Sequence, residues 1–138
     1  MIKTATVSVS TRGHADIHDI THEVTVAVAE SGIPAGTVTI FCSSSTSAVT
    51  TLEYESGAIL DLQQLFDEIV PPDRGYAHNA AWGDGNGHSH VRAALLGASL
   101  TVPFVGGQLA LGTWQQIVHV DFDNRPRRRD VLLQIMGE

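Results

Sequence analysis

The residues best suited to chemistry concentrate between positions 78 and 90, where His78, His88 and His90 accompany Asp84 and Asn86. His88 and His90 flank Ser89. In an extended segment, residues two apart share a face, so both imidazoles would reach one ion. Neutral imidazole is a common ligand of zinc, iron and nickel. An ion held with an open coordination position would act as a Lewis acid or activate water. The same residue types also build polar loops, in which the histidines cap turns or pair with Asp84. His14, His18 and His22 form a second set at spacings of four. They would share a face only on one continuous helix. Gly13 beside the first argues against that, so they read as solvent-facing or capping.

Other polar clusters lie elsewhere along the chain. Ser43-Ser44-Ser45-Thr46-Ser47 offers hydroxyls and backbone N–H groups that suit an anion, or equally a strand connection rich in turn formers. It is not a nucleophile elbow, because no G-x-S-x-G surrounds it, and it lacks the glycines and lysine of a phosphate-binding P-loop. Asp61, Glu53 and Glu55 are general acids or bases only if the fold brings them to the histidines. Trp114 and Gln115 follow Gly112-Thr113. They suit a pocket or a subunit seam, and Trp114 suits core packing as well. Arg125, Arg127, Arg128 and Arg129 supply four of the eight basic residues. Their guanidiniums match phosphate or carboxylate, a subunit contact, or a solvated strand entry.

The elements that must position these groups follow from the hydrophobic pattern. Residues 3–11 alternate and read as a strand. Ile20, Val24 and Val28 recur every four residues, which predicts a helix over 19–31, capped by Asp19 or Thr21 and ended by Gly32 and Pro34. Strands follow at 36–43 and 46–54. Ala58, Leu62, Leu65, Phe66 and Ile69 predict a second helix over 57–70, stopped by Pro71-Pro72. Residues 73–88 read as a long loop, and long ordered loops in small domains are often functional. A short helix is expected at 89–97. Strands are expected at 99–104, 108–112, 114–122 and 129–136, with Gly106-Gly107 as a hairpin turn. Strands with two main helices in no βαβ rhythm predict an α+β fold with a largely antiparallel sheet.

The whole chain has 138 residues, 43% of them hydrophobic and 17% charged, which suits one globular domain, 1–138. Fifteen acids against eight bases give a net charge of −7. With half the bases clustered near the end, the remaining body is acidic enough to repel a phosphate backbone, so nucleic-acid binding is not expected. The single cysteine, Cys42, allows no internal disulfide and fits a reducing compartment. No apolar run approaches the ~18 residues of a spanning helix, and the start Met1-Ile2-Lys3-Thr4 is not a signal peptide. The expectation is a cytoplasmic protein without membrane contact.

Several pieces, in one order, carry a resemblance: TSA at 46–48, YAH at 76–78, SH at 89–90, LLG at 95–97, SLTVPF at 99–104 and LGTWQQI at 111–117. The chain resembles the YjbQ family of small proteins over nearly its whole length. The resemblance implies an α+β fold with a barrel-like, mixed sheet, a homotrimer, and a histidine-lined pocket at or near the subunit seam. It implies a small phosphorylated molecule as ligand and a weak, secondary thiamine phosphate synthase activity. That reaction joins a pyrimidine pyrophosphate to a thiazole phosphate and expels pyrophosphate. A divalent metal, zinc or magnesium, is the implied guest of the histidines. By position, His78, His90 and Asp61 would be catalytic; His78 and His90 would also ligate the metal, joined by Asp84 and by His88, which lies outside the family pattern. Ser45, Thr46, Ser47, Asn86, Trp114, Gln115, Arg127 and Arg128 would contact substrate. One departure stands out. The family usually places a histidine directly before threonine-serine-alanine, and here that position is Ser45.

Overall fold

The computed structural model describes residues 1–138, the whole chain. In chain order the elements are β1 (Ile2–Thr11), β2 (Asp16–Asp19), α1 (Thr21–Ser31), β3 (Ala35–Cys42), β4 (Ser47–Leu52) and α2 (Ser56–Ile69). They continue with α3 (Ala77–Trp82), α4 (Gly87–Leu96), β5 (Ser99–Val105), β6 (Gln108–Leu109), β7 (Gln116–Asp121) and β8 (Arg127–Gly137). The strands form a five-stranded sheet in the order β1-β8-β3-β5-β6 and a three-stranded sheet in the order β2-β7-β4. Every pairing is antiparallel. The fold is α+β, with four helices and a curled, half-barrel sheet.

Two apolar cores explain this arrangement. The first joins Val7 and Val9 of β1, Val38 and Ile40 of β3, Phe104 of β5 and Leu133 and Ile135 of β8 to Val24 and Val28 of α1. Alternation along each strand turns these residues to one face. Val49 of β4 and Ile117 of β7 close the core from the second sheet. The second core lies on the other face of that sheet. It packs Ala48, Val118, Val120 and Phe122 against Phe66 and Val70 from the α2 end and Ala93 of α4. Phe66 and Phe122 meet edge-on, with ring centroids 4.8 Å apart. β7 is therefore covered on both faces, and Ile117–Phe122 are all buried.

Local chemistry sets the helix ends. The Asp19 carboxylate accepts from the Thr21 N–H at 2.9 Å and from its hydroxyl at 2.6 Å. Gly32 ends α1 at φ 71°, in the left-handed region that glycine tolerates. Glu55 caps α2 by accepting from the Gly57 and Ala58 N–H groups. Arg92 of α4 is buried, and its Nε donates to the Val70 carbonyl at 3.0 Å while Nη2 reaches Asp67 at 3.0 Å. This pair pins α4 to the end of α2.

The expected elements need several corrections. Residues 16–19 form a short strand against β7 that was not expected, and α1 begins at Thr21; His14, His18 and His22 share no helix, as the sequence reading held. His18 instead meets Asp16, Nε2 to Oδ2, at 2.8 Å. The long loop contains α3, and α4 begins at Gly87 rather than 89. β6 is only two residues, and 112–115 form a turn rather than strand. The sheet pairings are antiparallel throughout, not mixed. No helix is long and apolar enough to cross a membrane.

Candidate functional site

Six parts of the fold converge on one polar cleft of about 440 Å³. The β3–β4 connection contributes Ser43 to Thr46, and α3 contributes His78 and Trp82. The turn between α3 and α4 brings Asp84 and Asn86, and α4 brings His90. Asp123 follows β7, and Arg127 and Arg129 open β8. The imidazoles of His78 and His90 lie face towards face, with ring centroids 4.3 Å apart and planes inclined by 33°. His78 Nδ1 stands 3.4 Å from Asp84 Oδ1. The Asn86 amide sits between two carboxylates. In one orientation its NH₂ donates to Asp123 Oδ1 at 3.4 Å, and in the other to Asp84 Oδ1 at 3.0 Å.

Beneath the cleft runs a charged network. Arg129 Nε donates to Asp121 Oδ2 at 2.7 Å. Its Nη2 donates to Asp121 Oδ1 at 3.0 Å and to the Thr46 hydroxyl at 2.8 Å. Arg127 Nε donates to Asp123 Oδ2 at 2.9 Å, and the Thr46 hydroxyl donates to the same oxygen at 3.2 Å. The Thr11 hydroxyl donates to Asp121 at 2.6 Å. Burial alone would raise the Asp121 carboxyl. The bonds from Arg129 and Thr11 outweigh it and hold the group below its ordinary range. Burial likewise opposes ionisation of Asp123, and the Asn124 N–H and the Arg127 charge overcome it. A guanidinium carries five N–H donors. Arg127 and Arg129 spend Nε and Nη2 on these acids, which leaves Nη1 of each to an incoming anion.

The fold brings together His78, His90, Asp84, Asn86, Ser45, Thr46 and Arg127, and it leaves out the rest of the expected set. His88 is buried beside Tyr76, with ring centroids 6.3 Å apart, away from the cleft. The reason is local. Residues 87–96 are helical, and helical neighbours two apart point to nearly opposite faces, whereas the expectation assumed extended chain. Asp61 is exposed on α2 and does not line the cleft. Ser47 is buried and does not line the cleft. Arg128 is out of phase with Arg127 and Arg129 on β8, and its Nη2 lies 3.5 Å from Ser8 Oγ. Trp114 is 71% exposed, which rules out core packing within the chain. Gln115 braces the 112–115 turn, accepting from the Gly112 N–H and donating to the Thr51 hydroxyl, both at 3.1 Å.

Asp121 and Asp123 were missed by the sequence reading. A period-two signal could have found them, because Asp-Phe-Asp at 121–123 and Arg-Pro-Arg-Arg-Arg at 125–129 each repeat a charge on one strand face. A resident ion needs several converging donors. No three His, Cys, Asp or Glu side chains stand close enough to ligate one. The donor set of this chain alone therefore does not fit zinc or magnesium.

The family model for YjbQ-like UPF0047 proteins matches residues 5–138. A UPF0047 protein of Methanothermobacter thermautotrophicus is 37% identical over 137 residues, covering 99% of this chain and 94% of its own length. The UPF0047 protein YugU of Bacillus subtilis is 33% identical over 133 residues, covering 96% and 98%. A YbjQ-like protein of unknown function from Sulfolobus solfataricus superposes with a TM-score of 0.95 at 35% identity, covering 100% of this chain and 99% of the other. A hypothetical protein from Aeropyrum pernix gives 0.91 at 32% identity, covering 99% of both.

Proposed function

The chain belongs to the YjbQ-like UPF0047 family, and on that premise we propose that its cleft binds a small phosphorylated molecule. The observation that carries this reading is the convergence of His78, His90, the 43–46 hydroxyls and the spare N–H groups of Arg127 and Arg129 on one cavity. Each is a donor suited to phosphate oxygen. In phosphoryl chemistry, positioning and charge neutralisation supply most of the acceleration. A weak thiamine phosphate synthase activity would use the same groups: the arginines and imidazoles would receive the expelled pyrophosphate, and the serine hydroxyls would orient it.

A second reading, a non-catalytic binding module, draws on a specific observation. Asp61 lies outside the cleft, Ser45 replaces the imidazole that the family usually holds there, and of the two acids that line the cleft Asp123 is committed to arginines, leaving Asp84 beside His78. That leaves few groups free to move a proton.

Calorimetric titration with inorganic pyrophosphate tests the binding. Replacing both His78 and His90 with Ala, or Arg127 with Gln, should weaken it about tenfold or more, the equivalent of one or two lost charged hydrogen bonds. Unchanged affinity in both variants would refute the site. Complementation in cells lacking thiamine phosphate synthase separates the readings. Growth favours the enzyme, and no growth with retained binding favours the module. Assembly as a homotrimer is part of the proposal, supported by the exposed Trp82 and Trp114.

A further inference from the structure

The groups suited to phosphate line only part of the concave surface on this side of the molecule. A second hollow, of about 410 Å³, adjoins the cleft and shares Ser44, Ser45 and His90 with it. The helix α4 runs from one to the other. Asn86, His90, Ala93, Ala94 and Gly97 recur at intervals of three and four, so they follow one face of that helix. Asn86 and His90 face the cleft. Beyond His90 the same face carries only small residues, and Ala93, Ala94 and Gly97 line the hollow together with Ala98. The space over them is open: a Cβ built on Gly97 would meet nothing within 4 Å.

The two hollows differ in chemistry. Arg127, Arg129, Asp84 and Asp123 line the cleft, whereas no Asp, Glu, Lys or Arg lines the second hollow. Backbone carbonyls beside it are already bonded. Ala93 accepts from the Gly97 N–H at 2.9 Å, Gly97 from Val49 at 3.1 Å and Ala98 from Cys42 at 2.8 Å. The end of the hollow away from His90 therefore suits hydrocarbon, and a charged or strongly hydrated group there would lose water without compensation. The cleft lining holds one hydrophobic side chain, Trp82, which is 78% exposed at the rim and gives an apolar group little enclosure. We propose that the hollow is the subsite for the organic part of the ligand, which makes that ligand a phosphate ester of a compact apolar group rather than a sugar phosphate or a free polyphosphate. This rests on the phosphate reading of the cleft and deepens it. Phosphate lies towards Arg127 and Arg129, and the hydrocarbon lies over Ala93 and Ala94. Ser45 and His90, which border both hollows, donate to the ester oxygen between them.

Calorimetric titration of the native protein with methyl, propyl and butyl phosphate tests it, with inorganic pyrophosphate as the probe of the cleft alone. Affinity should rise about two- to fourfold per added methylene, the upper value corresponding to full burial of each CH₂. Ala94 is exposed on α4, where leucine is well tolerated. Ala94→Leu fills the hollow and should abolish the rise, so that butyl phosphate binds no tighter than methyl phosphate, while pyrophosphate affinity stays within about twofold. Ala94→Ser, which leaves the space open, should keep the rise. A flat series in the native protein that still binds pyrophosphate overturns the subsite and leaves the phosphate reading standing. So does a rise that survives Ala94→Leu, or one that is lost in Trp82→Ala instead, which would lay the chain on the tryptophan. Absence of pyrophosphate binding in the native protein overturns the phosphate reading, and the subsite with it.

Discussion

His119 and the Asp121–Arg129 pair lie on one face of the interior and respond to acid in different windows. Burial pushes the His119 pKa down to about 4, against an ordinary 6.5. The unfolded chain therefore binds the proton first. Stability from keeping this ring neutral is complete above about pH 6.5 and falls by roughly 1.4 kcal/mol per pH unit on the way towards 4. A His119→Leu variant should flatten that slope, as read by urea unfolding at pH 7 and pH 5; an equal slope in both proteins would show that His119 is not its source. Asp121 and Asp123 act lower. Their pKa values are held below the ordinary carboxylate value, so their contribution is present above that value and is lost as pH falls through the native one. Asp121→Asn should cost about 1.5–3 kcal/mol, because it removes the close charged bonds of a mostly buried guanidinium and leaves it only Asp123 at 3.6 Å. A loss under 1 kcal/mol in denaturant unfolding would mean that Arg129 finds other partners.

At the scale of elements, the cleft depends on how α3 is held against α4. The Gly87 N–H donates to Asn79 Oδ1 at 2.8 Å. A Cβ at position 87 would come within 2.5 Å of Tyr76 Cβ and 3.0 Å of Asn79 Oδ1. Gly87→Ala should therefore push α3 away from α4, cost about 1–3 kcal/mol through overpacking, and separate His78 from His90. Weaker pyrophosphate binding together with a lower Tm is the expected result. A lower Tm with full binding would show that the two rings tolerate the shift. The glycine and asparagine content of 73–88 suggested a loop and hid α3. That helix is only six residues long, below what propensity alone supports in water, and it exists because its neighbours hold it.

At the scale of the molecule, a single chain leaves Trp82 and Trp114 exposed at 78% and 71%. Large aromatics are favoured in interface cores. Sedimentation at micromolar concentration should give three times the 14.7 kDa of one chain. Replacing Trp114 with Ser should shift the equilibrium towards smaller species if it lies in the seam. A native protein that sediments only as the single chain would remove the trimer from the proposal. The same measurement decides whether the shallow hollow formed by Thr51, Leu52, Trp114 and Gln115 is a contact surface.

What the amino-acid order determined by itself was the periodic part of the fold. Alternating Val, Ile and Leu set the strands, and the four-residue spacing of Ile20, Val24 and Val28 set α1, because a strand or helix buries whichever face its own period makes apolar. The motifs from YAH to LGTWQQI also carried the family. Tertiary structure decided which polar residues meet. His78 and His90 lie on separate helices, Asp123 past the end of β7, Arg127 at the start of β8, and Ser45 in a connection, so only packing brings them to one cavity. The same packing sent His88 into the interior and Asp61 to the surface. Whether residues 87–90 are helical or extended, which their spacing alone does not specify, decides that His90 lines the cleft while His88 faces away.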